Sequence, residues 1–175
     1  ISRVIIFIFL SFILTACGSG DEVTVNPNDP VEPEPSKLTL SSANGLEATL
    51  DEGNFIFNAP SSAISSDVEL TYEKTLLDET NIQQNIISDL HALTPSTLTL
   101  EKPITITIKI PDDYALGGQL FIAKLSGANW DTVTNSIVLD GFVSAQVTTL
   151  GTYAIQMQRN EAFANIGPTC DANAT

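Results

Sequence analysis

Few residues of this 175-residue chain have side chains suited to chemistry. There are two cysteines, Cys17 and Cys170, and one histidine, His91. Two cysteines so far apart do not make a disulfide framework. A lone histidine cannot build a His-based metal site, and His91 is expected to serve packing. Ser61, Ser62, Ser65 and Ser66 crowd one short stretch, yet no base stands beside them to activate a hydroxyl. Asp51-Glu52, Asp112-Asp113 and Asp131 could lend oxygens to calcium, but none has the regular spacing of a calcium loop. They read as solvated turns. Carboxylate pairs for glycoside chemistry depend on a distance that the fold sets. Gly117-Gly118 reads as a hairpin turn, not as a phosphate loop, and Trp130 as a buried residue rather than a sugar-stacking platform. The expectation is a non-enzyme with no catalytic residue, no metal ligands and no cofactor.

Charge narrows the partners. Twenty-one acids against seven basic residues give a formal net charge of −14. Such a surface repels phosphate backbones and anionic headgroups, so nucleic acid is excluded as a partner. The same charge keeps a secreted domain soluble.

The N-terminus supplies the one reactive position. Arg3 precedes an apolar block from Val4 to Leu14, closed by Thr15-Ala16-Cys17. The block falls short of the roughly 20 apolar residues that a spanning helix needs. A positive residue before it and small residues after it give the layout of a signal peptide. Leu14-Thr15-Ala16-Cys17 resembles the bacterial lipobox. That resemblance implies alkylation of the Cys17 thiol with a diacylglyceryl group and cleavage between Ala16 and Cys17. Each buried methylene adds roughly 0.8 kcal/mol, and two or more acyl chains hold a protein firmly on a bilayer. Cys170 would then have no intrachain partner. Gly18, not Asp, follows Cys17, so the inner-membrane retention signal is missing. In a double-membrane bacterium this favours the outer membrane. Asp21-Glu22 bears a slight similarity to the acidic surface-export tags of some Bacteroidetes lipoproteins. Because the chain opens on Ile1 and not Met, it reads as lacking its first residues.

Next comes a spacer. Pro27, Pro30, Pro33 and Pro35 forbid helix and interrupt any ladder, and Asp29, Glu32 and Glu34 repel one another without a basic partner. An extended, disordered tether is expected, and residues 23–36 at about 3.1 Å each would reach at most ~45 Å.

From Lys37 onward the pattern has a period of two. Leu38-Thr39-Leu40, Leu46 to Leu50, Phe55-Ile56-Phe57 and Val68 to Tyr72 alternate, with Asn44-Gly45 and Asp51 to Asn54 as turns. Residues 76–90 fit one short helix started by Asp78-Glu79-Thr80 or, equally, a long loop. Thr97 to Leu100 is strand-like. Ile104, Ile106, Ile108 and Ile110 share one face of the clearest strand, with Thr105, Thr107 and Lys109 on the other. Strand-like runs from Gln119, Asn129, Ser136, Val143 and Gly151 follow. Roughly nine short strands separated by turns argue an all-β, antiparallel, immunoglobulin-like sandwich. The organisation expected is a signal peptide over 1–16, a lipidated tether over 17–37, the sandwich over 38–157 and a flexible tail over 158–175.

The order of motifs resembles the ZU5-type β-sandwich of ankyrins, netrin receptors and many bacterial lipoproteins. Phe55-Ile56-Phe57-Asn58-Ala59-Pro60-Ser61-Ser62-Ala63 is a loose copy of that family's strand-and-proline corner. His91-Ala92-Leu93-Thr94-Pro95 and the run through Lys102-Pro103-Ile104-Thr105-Ile106 follow its central motif closely. Asn129-Trp130-Asp131 matches its tryptophan hairpin, and Val143 to Ile155 its last strands. Some ZU5-type proteins cut themselves at a His-Phe-Ser step there. This chain has Thr149, Leu150 and Gly151 instead, so the resemblance carries no nucleophile and implies a chain that stays whole. It implies a module for protein–protein contact. The function expected is therefore a lipid-anchored cell-envelope protein presenting a non-catalytic interaction or structural module. Its partners would be the membrane, through the anchor, and another envelope protein or surface ligand. The alternative is a lipoprotein that binds glycan or calcium.

Overall fold

A computed structural model describes residues 35–114 and 117–158. The signal peptide, Cys17, most of the tether and nearly all of the tail, Cys170 included, lie outside the described residues. Within them the alternating runs become eleven strands: β1 (Ser36–Leu40), β2 (Leu46–Leu50), β3 (Phe55–Ala59), β4 (Val68–Thr75), β5 (Leu90–Thr94), β6 (Thr99–Lys109), β7 (Gln119–Ser126), β8 (Asn129–Thr132), β9 (Ile137–Leu139), β10 (Phe142–Thr149) and β11 (Thr152–Gln158). One short α-helix, α1 (Glu79–Gln83), interrupts them.

The strands form two antiparallel sheets, one ordered β1-β4-β5-β11-β7-β8 and the other β2-β3-β6-β10-β9. The expected all-β antiparallel sandwich is what the chain forms. The isoleucine row reads as foreseen: Ile104, Ile106 and Ile108 are sealed, while Thr105 and Thr107 are half-buried. They meet Phe55, Phe57, Leu70, Leu93 and Tyr153 from the surrounding strands in one core. Burying a side chain of that size contributes about 1.5–3 kcal/mol.

Asn44-Gly45 turns the chain as expected, but it passes β1 of one sheet to β2 of the other instead of joining a hairpin. Gly45 is required there. Its φ is +72°, and a Cβ would lie 2.2 Å from the Ala59 carbonyl oxygen.

Eleven strands form where roughly nine were expected, and the runs read from the sequence differ from the strands in two places. First, β5 is absent from the alternation because Leu90, His91 and Leu93 are all buried, so both faces are covered. Second, the Leu100 and Ile104 runs are one strand. Pro103, which has no N–H to give, sits where the β6–β10 register shifts between Val147 and Thr149. The ambiguous stretch resolves as α1 followed by a loop. Asp78 caps the helix, accepting from the Asn81 N–H at 2.8 Å. Strand β1 begins at Ser36, two residues earlier than the alternation suggested.

Candidate functional site

Two regions depart from the usual division of apolar inside and polar outside. The first grows from β4. Its inward row runs Leu70, Tyr72, Lys74, so the last inward position carries a cation where alternation favours an apolar side chain. Lys74 pairs across the sheet with His91 of β5, and Tyr72 with Leu93. From the opposite sheet Phe55 closes over them, its ring centroid 5.2 Å from Tyr72 and 4.8 Å from His91.

This buried polarity is largely compensated. Lys74 Nζ donates to Asp51 at 2.7 Å and lies 3.6 Å from Asp89. The hydrogen bond to Asp51 raises the Lys74 pKa, so the ammonium is held charged. Tyr72 Oη and His91 Nδ1 are 2.9 Å apart. His91 is 1 % exposed, and burial pushes its pKa down to about 4. The imidazole is neutral over the physiological range. Burial also raises the Tyr72 pKa, so the phenol keeps its proton.

In front of this group, where β6 ends and β3 and β5 begin, lies a hollow of about 320 Å³. His91, Asp51, Asp89, Asp112 and Asp113 line it, with aliphatic walls that include Ile87, Ile108 and Ile110. Asp112 is paired with Lys109 at 3.1 Å. The acids singled out as possible calcium donors are thus partly brought together: Asp51, Asp112 and Asp113 share the hollow, whereas Asp131 stands across from Lys124 on β8. The cation beside Asp51 and Asp89 is Lys74 itself, and among the described residues no group of three or more ligating side chains could hold a metal ion. His91 packs, as expected, but it also hydrogen-bonds and faces the hollow. Sequence reasoning missed Lys74 and Asp89. The signal available was Lys74 standing in step with Leu70 and Tyr72.

The second region is the β9 edge of the smaller sheet. Among the described residues strand β9 pairs only with β10, and Ile137, Val138 and Leu139 are 65, 51 and 66 % exposed. A shallow groove lined by Thr105, Ile137, Ser144 and Gln146 runs beside it on the outer sheet face. The exposed large hydrophobics among the described residues are all aliphatic. Trp130 is buried, but not in the sandwich core. It packs with Ile86, Leu90, Ala123 and Ala154 on the outer face of the larger sheet.

At the step between the last two strands, Leu150 is sealed and the Gly151 carbonyl accepts from Leu93 N–H at 3.0 Å. Thr149 Oγ1 accepts from Lys124 at 2.7 Å.

Residues 43–158 match the family model described as Zu5-like domain. No curated protein matches the chain.

Proposed function

The chain belongs to the Zu5-like domain family, and from that premise we propose that it is a lipid-anchored envelope protein whose sandwich docks another envelope protein at the β9 edge. The exposed Ile137-Val138-Leu139 edge carries this reading. An edge strand offers a row of unpaired N–H and C=O groups, and natural edges are usually blunted by Lys, Pro or a covering element. Strand β1, at the edge of the other sheet, has such devices: Pro35 precedes it, and Lys37 pairs with Glu69 at 2.9 Å. Strand β9 has none. The occupant that fits is an extended segment that adds a strand through main-chain bonds and covers the aliphatic side chains.

Charge says which segment. Residues 35–158 hold five lysines and fourteen acids. Every one of those lysines is engaged, Lys102 on the Ser61 carbonyl and Lys124 on Thr149 among them. Two copies of so acidic a domain repel each other, so the partner is a different protein with a basic or neutral strand. The anchor rests on Leu14-Thr15-Ala16-Cys17 and the stand-off on the proline-rich stretch after it.

A photo-crosslinking side chain at Val138 of the anchored protein should yield one discrete adduct in cells. The same group at Thr39 of β1 should yield none, and Ile137→Lys with Leu139→Lys should abolish the Val138 adduct. Equal adducts at the two edges would sink the docking site. Wild type should take up a fatty-acid probe and Cys17→Ser should not. The non-catalytic reading predicts a mature chain with no break between Leu150 and Gly151 by intact mass.

A further inference from the structure

We propose that the hollow in front of His91 binds a small primary ammonium that carries an oxygen acceptor a few atoms away, as an amino sugar or a peptide amino terminus does. This goes beyond the β9 edge and rests on separate observations. The hollow is near the lower end of the volumes that take small ligands, about 300–1,000 Å³.

The first observation is an open valence on a buried side chain. His91 spends Nδ1 on Tyr72, and Nε2 has no hydrogen-bond partner among the described residues. The one sealed side-chain polar atom without a partner there is Tyr114 Oη. Nε2 is therefore not sealed, and His91 is among the residues that line the hollow. Tyr72 Oη has no other partner among the described residues, so the arrangement that satisfies both groups has the phenol donating to Nδ1. The neutral ring then carries its proton on Nε2. A buried histidine thus presents one N–H donor at the floor of the site, asking for an oxygen.

The second observation is the charge that remains. Asp51 and Asp89 are shared with Lys74, and Asp112 is paired with Lys109, but Asp113 has no cationic partner among the described residues. Four carboxylates against two ammonium groups leave the hollow anionic. A donor at the floor and an unneutralised acid at the rim match a ligand with an acceptor at one end and a cation at the other. The aliphatic walls suit the short carbon frame between them.

His91 is the chain's single histidine, so a ¹⁵N-imidazole label reports on this site alone. The full chain in detergent should be titrated with glucosamine and with glycinamide. At least one should shift the Nε2 resonance saturably below concentrations on the order of 50 mM, and the tighter arm identifies the source. N-acetylglucosamine and N-acetylglycinamide, which lack the charge, should bind about tenfold more weakly, as should ethylammonium, which lacks the acceptor. Asp113→Asn, at an exposed and unpaired position, should leave the fold intact and weaken binding severalfold. A resonance that neither ammonium moves, or that the neutral analogues and Asp113→Asn shift just as well, overturns the proposal.

Discussion

Near His91 the molecule buries polar atoms, and along β9 it exposes apolar ones. Both arrangements cost free energy relative to a plain sandwich. They differ in what offsets the cost. Around His91 the compensation is internal: Tyr72 satisfies one ring nitrogen, Asp51 and Asp89 neutralise Lys74, and Phe55 covers the group from the opposite sheet. Beside β9 nothing among the described residues compensates, for Ile137 and Leu139 stay more than half exposed. The contrast teaches where to look for a macromolecular partner. A polar group that is satisfied inside the fold needs no visitor beyond its open valence, whereas the uncovered apolar edge is the feature on which the proposed docking rests.

The largest effect expected belongs to neither region and sets the scale for both. Ile106→Ala empties a sealed core position and should cost ~2–5 kcal/mol in denaturant melts. Thr107→Ala on the opposite face loses a half-buried hydroxyl contact to Ser144 at 2.8 Å and should cost about 1 kcal/mol. Equal losses would mean that the facing of β6 is wrong.

Acid should strike the His91 region next. The unfolded histidine takes a proton near pH 6.5, the folded one only near about 4. In that window the unfolded chain binds the extra proton, so stability falls as pH drops through it and is fully retained above it. The loss is at most about 3 kcal/mol. His91→Phe should flatten the slope of stability against pH between those limits, and an unchanged slope would show that His91 is not the group responsible.

The smallest stability effect should lie at β9. Ile137→Lys and Leu139→Lys change side chains that are mostly exposed and should each change stability by no more than about 0.5 kcal/mol. A large loss would mean that the edge is structural and would weaken the case for a docked partner.

What the sequence revealed depended on one-sidedness. Where a strand buries a single face, as around Ile104 to Ile108, the period of two is visible and strand and facing follow. Where both faces are covered, as at Leu90-His91 and Tyr153-Ala154-Ile155, the pattern becomes a run of buried residues. The first of these gives no strand signal. The candidate sites were less legible. Asp51, Lys74 and Asp89 come from a turn, a strand end and a loop, brought together only by how the sheets order their strands. The apolar run at 137–139 gave a strand but no hint that it would stand at an edge. The motif order, from the Phe55 corner to the last strands, carried the family further than any single residue did.

The segment between β4 and β5 has a consequence for observation. Beyond Tyr153 it takes over from β5 as neighbour to β11: Ile87 N–H donates to Ile155 and Met157 N–H to Asn85, at 2.9 and 2.8 Å. Its α1 end is tied to the indole, Trp130 Nε1 donating to Asn81 Oδ1 at 3.1 Å. This lid is held by a handful of bonds and a five-member apolar cluster, while β6 and β10 lie in the main core. It should lift as a unit of its own, with the amides of Ile87 and Met157 exchanging with deuterium together and earlier than those of β6. Trp130 is the chain's only tryptophan, so its fluorescence should redden at denaturant concentrations below those that melt the core. The indole is in effect a built-in optical gauge of that single lid.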